Sequence, residues 1–211
     1  MMERAASAAP VPERPTLPRL REAVQACRAC ELWAGASQAV FGEGGRRAEL
    51  MLVGEQPGDR EDVEGAPFVG PAGRELDRAL AEAGIARERV YLTNVVKHFR
   101  FKARGKRRIH QRPDAVHVAA CRPWLDAELA VVRPQTLLCL GAVAAQALVG
   151  RDVRVTRDRG RPLDSPLAPC VMATVHPSSI LRAPDETARR EAHAAFVADL
   201  RSVAESLGDA R

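Results

Sequence analysis

Short apolar runs alternate with longer segments of helical character, and this alternation constrains the fold more than any other feature of the sequence. Residues 49–53, 89–95, 135–140 and 170–175 are apolar runs of strand length. Strands that alternate with helices of about ten or more residues predict a parallel sheet between two helix layers. We therefore expect an α/β fold, a three-layer α/β/α sandwich around a central, mainly parallel four-stranded sheet.

Apolar residues at helical spacing, with Gly and Pro at the ends of the patterns, predict the helices. We expect helices over residues 20–33, 70–83, 113–129, 141–148 and 186–207. The glycine-rich residues 41–45 precede their strand and are predicted to form a turn rather than a nucleotide-binding loop. Residues 150–169 are rich in Gly and Arg and are expected to contain a short hairpin.

Composition predicts one folded domain preceded by a short disordered segment. Residues 1–18 are rich in Ala and Pro and are expected to be disordered, followed by a single domain over residues 19–211. No apolar run approaches the roughly 20 residues of a membrane span, and residues 1–18 lack the apolar core of a signal peptide. We therefore expect a cytoplasmic protein without membrane contact, whose paired cysteines are metal ligands rather than disulfides. A monomer is the simplest expectation for a chain of this size. Cys139 and Cys170 lie within apolar runs and are expected to be small buried residues.

Basic residues concentrate in one segment. Seven of the 32 lysines and arginines lie in residues 100–112, which contain no acid, although the whole chain has a formal charge of only +5. Such a cluster favours a polyanion partner, nucleic acid above all. A solvated, arginine-rich loop is the alternative that composition alone leaves open.

Polar segments follow three of the predicted strands. They are GEQPG at residues 54–58, NVVKH at 94–98 and HPSS at 176–179. Ligands of open parallel sheets bind beyond the carboxyl ends of the strands, so these segments are expected to meet in one crevice.

Five segments taken together resemble the uracil-DNA glycosylase superfamily. They are GEQPG (54–58), EDVEGAPFVGPAG (61–73), TNVVKH (93–98), ACRPWL (120–125) and VHPSSILR (175–182). The resemblance extends in order over about residues 20–207 and is greatest to the iron-sulfur family-four branch. The segment KRRIH at 106–110 looks like the hallmark of UdgX-type members. The resemblance implies a DNA repair enzyme of base excision, a hydrolase acting on N-glycosyl bonds.

A flipped uracil needs hydrogen-bond partners for its polar edge and an apolar surface for its face. The Asn94 amide can donate and accept, and Phe68 offers the surface; the resemblance gives these two residues their roles. Gln56 is a further uracil-binding candidate, at a position where family-four members usually have a small residue. His176 matches a histidine that stabilises negative charge on the departing base. A turn asparagine, a core phenylalanine and a structural histidine are the alternatives.

The resemblance to UdgX-type members implies that His110 attacks the sugar and leaves the protein covalently joined to abasic DNA, in a single turnover. A neutral imidazole is a competent nucleophile, and the neighbouring arginines, Arg107 among them, are expected to favour its neutral form. Glu55 and Gln56 are predicted to orient or activate the histidine or a water. The alternatives are a multiple-turnover glycosylase that uses water, and a non-catalytic nucleic-acid-binding module with a structural metal.

The predicted partner is uracil-containing DNA, single- and double-stranded, which implies association with the nucleoid. Phosphate contacts are expected from the basic segment and from the turn after the fourth strand. The DNA-binding candidates are Lys106, Arg107, Arg108, Ser178, Ser179 and Arg182.

The spacing Cys27-x-x-Cys30 suits a metal or iron-sulfur site, because two thiolates on one turn can reach the same centre. The resemblance supplies the other two ligand positions, of which one is Cys121 and the other is His98 instead of the family's cysteine. It thus implies a [4Fe-4S] cluster held by three cysteines and one histidine. A structural zinc uses the same ligand types and is the alternative.

Overall fold

The computed structural model describes residues 9–208 and contains the predicted sheet. In chain order the strands are β1 (Leu50–Gly54), β2 (Val90–Asn94), β3 (Phe101–Arg104), β4 (Arg107–His110), β5 (Thr136–Leu140) and β6 (Cys170–Thr174). Four of them form one parallel sheet in the order β2-β1-β5-β6, with Leu52 of β1 opposite Leu92 of β2 and Leu138 of β5. The predicted mainly parallel four-stranded sheet is therefore confirmed.

Helices cover both faces of this sheet. They are α1 (Leu17–Ala23), α2 (Asp59–Glu64), α3 (Pro71–Glu82), α4 (Ala115–Val132), α5 (Ala142–Leu148), α6 (Val155–Asp158), α7 (Pro177–Leu181) and α8 (Glu186–Gly208). Helices α3, α7 and α8 pack on one face, and α4, α5 and α6 on the other, which makes the predicted three-layer sandwich. None of the helices within residues 9–208 is long and apolar enough to cross a bilayer.

The strands are apolar throughout because both of their faces are covered. In β1, Leu50 and Leu52 pack toward α3 and α8, whereas Met51 and Val53 pack toward α4, and all four are 0% exposed. Burying one such side chain contributes about 1.5–3 kcal/mol. The continuous apolar run is thus the sequence signature of a central strand.

The amino-terminal region differs from the prediction of one helix over residues 20–33. Helix α1 ends at Ala23, and two short 3-10 helices, Val24–Ala26 and Glu31–Ala34, flank a loop that contains Cys27 and Cys30. The expected disordered lead lies outside the described residues over positions 1–8. Its later part is packed, since Ala9 and Val11 contact a core cluster around Trp124 and the described fold begins before residue 19.

Three further segments differ from expectation. The basic residues 100–112 form an antiparallel hairpin of β3 and β4 rather than a loop, and Gly105, at φ +58°, occupies its two-residue turn. Residues 150–169 contain the short helix α6 instead of the predicted hairpin. Helix α2 was not predicted, because its acidic sequence DREDVE has little apolar periodicity.

Candidate active site

A cavity of about 920 Å³ opens beyond the carboxyl ends of the sheet strands. The segments that follow β1, β2 and β6 meet there, as the topology of a parallel sheet requires. The predicted residues that line it are Glu55, Gln56, Phe68, Asn94, His110, His176, Ser178, Ser179 and Arg182. Residues from separate parts of the sequence thus share one pocket of the size that binds a small ligand.

Two glycines allow Phe68 and Asn94 to share the inner wall of the cavity. Phe68 has a left-handed backbone with φ +58°, and its ring lies 6.0 Å from the His176 ring at an interplanar angle of 27°. A Cβ on Gly73, in the first turn of α3, would collide with the Phe68 carbonyl. A Cβ on Gly54 would lie 2.8 Å from the Phe68 ring and would collide with the Asn94 amide oxygen. Glycine at these positions therefore lets the ring and the amide approach each other.

A buried ion pair holds the backbone of Asn94. The Lys97 ammonium donates to the Asn94 carbonyl at 2.8 Å, to the Thr93 hydroxyl at 2.7 Å and to the Glu128 carboxylate at 2.5 Å. The Lys97 and Glu128 side chains are 1% and 0% exposed. The end of β2 that presents Asn94 is thus fixed from beneath by a fully desolvated charge.

Glu128, on α4, accepts further hydrogen bonds from β2 and from the loop before β1. Its carboxylate accepts from the Tyr91 hydroxyl at 2.9 Å, from the Thr93 hydroxyl at 2.9 Å and from the Gly42 N–H at 3.2 Å. Burial, reinforced by the negative charge of Glu128, raises the pKa of Tyr91 far above the usual range. Sequence reasoning missed this network. The sequence offered one indication of the network, because Lys97 is a single cation close to an apolar strand. In the structure the whole of this run, Lys97 included, is buried.

Gln56 connects His110 to the two ends of the hairpin. The Gln56 amide nitrogen donates to the carbonyls of Arg100 and Gln111, at 3.1 and 3.0 Å, and its oxygen accepts from the Arg100 N–H. The same nitrogen lies 3.0 Å from His110 Nε2. The amide has two N–H hydrogens for these three neighbours, so one hydrogen is shared, and a neutral ring with a lone pair on Nε2 and its proton on Nδ1 is the form compatible with this contact.

Burial, and then the positive charge of Arg182, lowers the pKa of His110 below its usual value. The neutral ring was expected, but its cause differs from the prediction. Arg107 lies on the opposite face of the hairpin, and Arg182, at the end of α7, supplies the repulsion instead. Beside the ring, burial raises the pKa of Glu55, whose Oε1 atom lies 3.8 Å from His110 Nε2. Among the described residues this oxygen has no hydrogen-bond partner.

His176 is fixed as a neutral donor. Its Nδ1 accepts from the Ser178 N–H at 3.2 Å, so the proton of the neutral ring is on Nε2. Burial, reinforced by Arg182 and His110, lowers the pKa of His176 to about 4. The Ser179 hydroxyl donates to the His176 carbonyl at 2.8 Å, and Arg182 donates to the Ser178 hydroxyl at 3.1 Å. Both serines therefore hold the histidine turn in the described structure.

Arg108 anchors the hairpin to the protein body, and its predicted contact with DNA stays a prediction. Its guanidinium lies 2.5 Å from Asp59 and 2.6 Å from Asp62, both on α2, and it stacks over Phe99 and Phe101. Two carboxylates thus neutralise Arg108 and fix β4 against the protein body. Lys106 and Arg107, by contrast, are exposed, as expected for residues that contact DNA.

The four predicted metal ligands lie in one region. The Cys30 thiol contacts Cys121 of α4, and this hydrogen bond lowers the pKa of Cys30 to about 6. The Cys27 sulfur accepts from the Trp124 indole N–H at 3.3 Å, and Trp124 is one helical turn beyond Cys121. His98 follows β2 and is 4% exposed.

These donors do not converge on a point. Within residues 9–208, no three His, Cys, Asp or Glu side chains lie close enough together to hold a metal ion. The donor chemistry nevertheless fits an iron-sulfur cluster, because three soft sulfur ligands and one imidazole are ligands that iron in such clusters accepts. The remaining cysteines are partly as expected, since Cys139 is fully buried and Cys170 only half-buried.

Comparison with known proteins gives consistent matches. Residues 41–201 match the family described as the uracil DNA glycosylase superfamily. The chain is 38% identical over 170 residues to a type-4 uracil-DNA glycosylase of Thermotoga maritima, an alignment that covers 80% of this chain and 85% of the relative. It is 35% identical over 177 residues to a type-4 uracil-DNA glycosylase of Pyrobaculum aerophilum, covering 80% and 86%. A type-4 uracil-DNA glycosylase of Sulfurisphaera tokodaii is 39% identical over 127 residues, covering 60% and 54%.

Proposed function

The chain belongs to the uracil-DNA glycosylase superfamily, and from this membership we propose that it excises uracil from DNA and then captures the abasic sugar covalently through His110. One observation carries the second half of the proposal. His110 lines the same cavity as the base-reading residues, and its Nε2 atom lies 3.0 Å from the Gln56 amide nitrogen, a contact compatible with a lone pair on Nε2. A nucleophile is thus held next to the position where a flipped nucleotide would lie.

Base recognition follows from the inner wall of the cavity. A uracil flipped into it would stack on the Phe68 ring, while the Asn94 amide would both donate to and accept from its polar edge. Gly54 makes room for this pair, and Lys97 holds the Asn94 backbone. The position of the amide is therefore fixed before the base arrives, which lowers the cost of ordering it on binding.

Bond cleavage would rely on His176. As the bond between sugar C1′ and uracil N1 breaks, its electron pair moves onto the base, and negative charge develops on the uracil oxygens. A neutral Nε2–H from His176 can donate to one of these oxygens in a largely desolvated site, where such a bond is worth more than in water. Since the pKa of His176 is about 4, the ring holds this form at neutral pH.

Capture would follow at the same carbon. The His110 Nε2 lone pair exchanges its hydrogen bond from Gln56 for a bond to C1′, which produces a cationic ring. Loss of the Nδ1 proton returns the ring to neutrality, and one proton is taken up by the departed uracil. The products are free uracil and a protein joined to the DNA sugar through a carbon–nitrogen bond, so that each protein molecule reacts once.

Glu55 supports a second candidate, a glycosylase that uses water and turns over repeatedly. Its buried Oε1 atom has no hydrogen-bond partner within residues 9–208 and lies on the cavity wall. A carboxylate with a free lone pair there can accept a proton from a water that attacks C1′. Uracil is released in either mechanism, but only capture leaves a covalent product.

We assign the [4Fe-4S] cluster to Cys27, Cys30, His98 and Cys121. Base excision contains no redox step, so the cluster would tie the amino-terminal loop to α4 and to the segment after β2. That segment leads directly into the hairpin that bears His110. The contribution of the cluster would therefore be structural.

Iron and acid-labile sulfide analysis of the purified protein should give about four of each per chain, with little zinc. Cys121→Ser should lose most of this iron, because it removes one of the proposed ligands. Cys170→Ser is the matched control and should retain it, since Cys170 lies at the start of β6, outside the ligand set. One zinc per chain without sulfide would establish the zinc alternative.

The proposed excision is tested by release of free uracil from a single-stranded oligonucleotide with one uracil. His176→Ala should slow release by about 100-fold to 1,000-fold, the usual cost of one donor to developing negative charge. Because burial keeps the pKa of His176 near 4, its contribution should be constant from about pH 5.5 to 8 and be lost only in more acidic solution. No release by the wild-type protein would leave the nucleic-acid-binding module as its function.

A further inference from the structure

The hairpin of β3 and β4 has two chemically different faces. Pairing is Phe101 with His110 and Lys102 with Ile109, and the two members of each pair point to the same side of the ribbon. His110 lines the cavity, and the Phe101 ring stacks on Phe99 at 5.2 Å. One face therefore packs against the protein body, and the other must face away from it.

The outward face is cationic. It carries Lys102, Arg104 and Arg107, with Lys106 in the turn, and all four side chains are exposed. None of these four forms an ion pair or hydrogen bond with another residue of the part of the chain that the structure describes. The inward Arg108, by contrast, is neutralised by two carboxylates. Charges of this segment are thus paired on the inner side and left free on the outer side.

An exposed apolar side chain lies among these cations. Ile109 is 38% exposed and is one of three large hydrophobic side chains exposed within residues 9–208. It is opposite Lys102 on the outer face and directly precedes His110. A row of cations beside an apolar side chain is complementary to a nucleic-acid strand, whose phosphates take the charges and whose bases offer stacking surfaces.

We propose that the outer face of the hairpin binds the DNA strand that flanks the uracil, with Lys102 and Arg104 on its phosphates and Ile109 against a neighbouring base. This inference rests on the proposed function for the identity of the strand. His110 on the inner face would reach the flipped nucleotide while the outer face holds the adjoining one. The ribbon would thus position the strand as well as carry the nucleophile.

The test measures binding of a single-stranded oligonucleotide without uracil at several salt concentrations, so that it does not depend on catalysis. Lys102→Gln combined with Arg104→Gln should reduce the slope of log affinity against log salt by about 1.4, or about 0.7 for each phosphate that the protein no longer neutralises. Lys102→Arg with Arg104→Lys keeps the charges and should keep the slope. Arg46→Gln with Arg47→Gln, before β1 at the other end of the sheet, is the control and should also keep it.

The base interaction is tested by placing the fluorescent base 2-aminopurine in the same oligonucleotide. Its fluorescence change on binding should disappear in Ile109→Ala and remain in Ile109→Leu, because leucine retains the apolar surface. An unchanged slope in the neutralised pair, or an unchanged fluorescence response in Ile109→Ala, would overturn the proposal. A reduced slope in a protein that releases no uracil would support the ribbon surface and reject the enzymatic function.

Discussion

Replacing His110 with glycine should abolish the covalent protein–DNA product and convert single turnover into repeated release of uracil. The substitution removes the nucleophile and leaves space for a water next to C1′, with Glu55 still on the cavity wall. Uracil released per protein molecule should then rise from at most one to many. Incubation with excess uracil-containing oligonucleotide, followed by quantification of free base and of adduct on a denaturing gel, measures both quantities.

Gln111→Ala is the matched control for this experiment. Gln111 follows His110 and is exposed, and within residues 9–208 its side chain bonds only to nearby backbone carbonyls. Gln111→Ala should form the adduct as the wild type does, and each protein molecule should still release at most one uracil. An adduct that persists in His110→Gly would assign the nucleophile to another group in the cavity.

Lys97→Met should destabilise the protein by about 3–5 kcal/mol, the cost of leaving one partner of a buried ion pair without its counter-charge. Glu128 would remain 0% exposed with its hydroxyl and N–H donors but without a cation. The substitution also frees the Asn94 carbonyl, so the uracil-reading amide should lose its fixed position. Urea unfolding, with the slope against denaturant compared between variants, measures the change in free energy of unfolding.

Arg60→Met provides the comparison for a solvent-exposed ion pair. Arg60 and Glu64 lie 3.1 Å apart on the surface of α2, with side chains 56% and 43% exposed. Removing such a pair costs about 0.5 kcal/mol or less. Equal destabilisation in Lys97→Met and Arg60→Met would contradict the structural role of the buried pair.

The sheet was predictable because its signal is local. Each central strand is buried on both faces, and this requirement appears in the sequence as an uninterrupted apolar run. The hairpin was not predictable in the same way. It is held by Arg108 against Asp59 and Asp62, which lie 49 and 46 residues earlier, and neither partner can be chosen from charge alone.

The residues of the cavity also divide into those that local motifs indicate and those whose contacts depend on the folded chain. Asn94 and His176 lie in short polar segments that follow strands, the family resemblance adds Phe68, and the topology brings the three residues together. Lys97 and Glu128 were missed because their pairing depends on how α4 packs on the sheet. The contact between His110 and the Gln56 amide was likewise not predictable, because only the folded chain brings the two within 3.0 Å.

The most direct test of covalent capture is the intact mass of the protein after incubation with a single-stranded oligonucleotide that contains one uracil. Capture predicts one species whose mass is that of protein plus oligonucleotide minus uracil, with the modified peptide mapping to His110. Its rate should be constant from about pH 7 to 8, because burial and Arg182 hold the pKa of His110 below its usual value. Unmodified protein together with free abasic oligonucleotide would contradict the account and establish a water-using glycosylase.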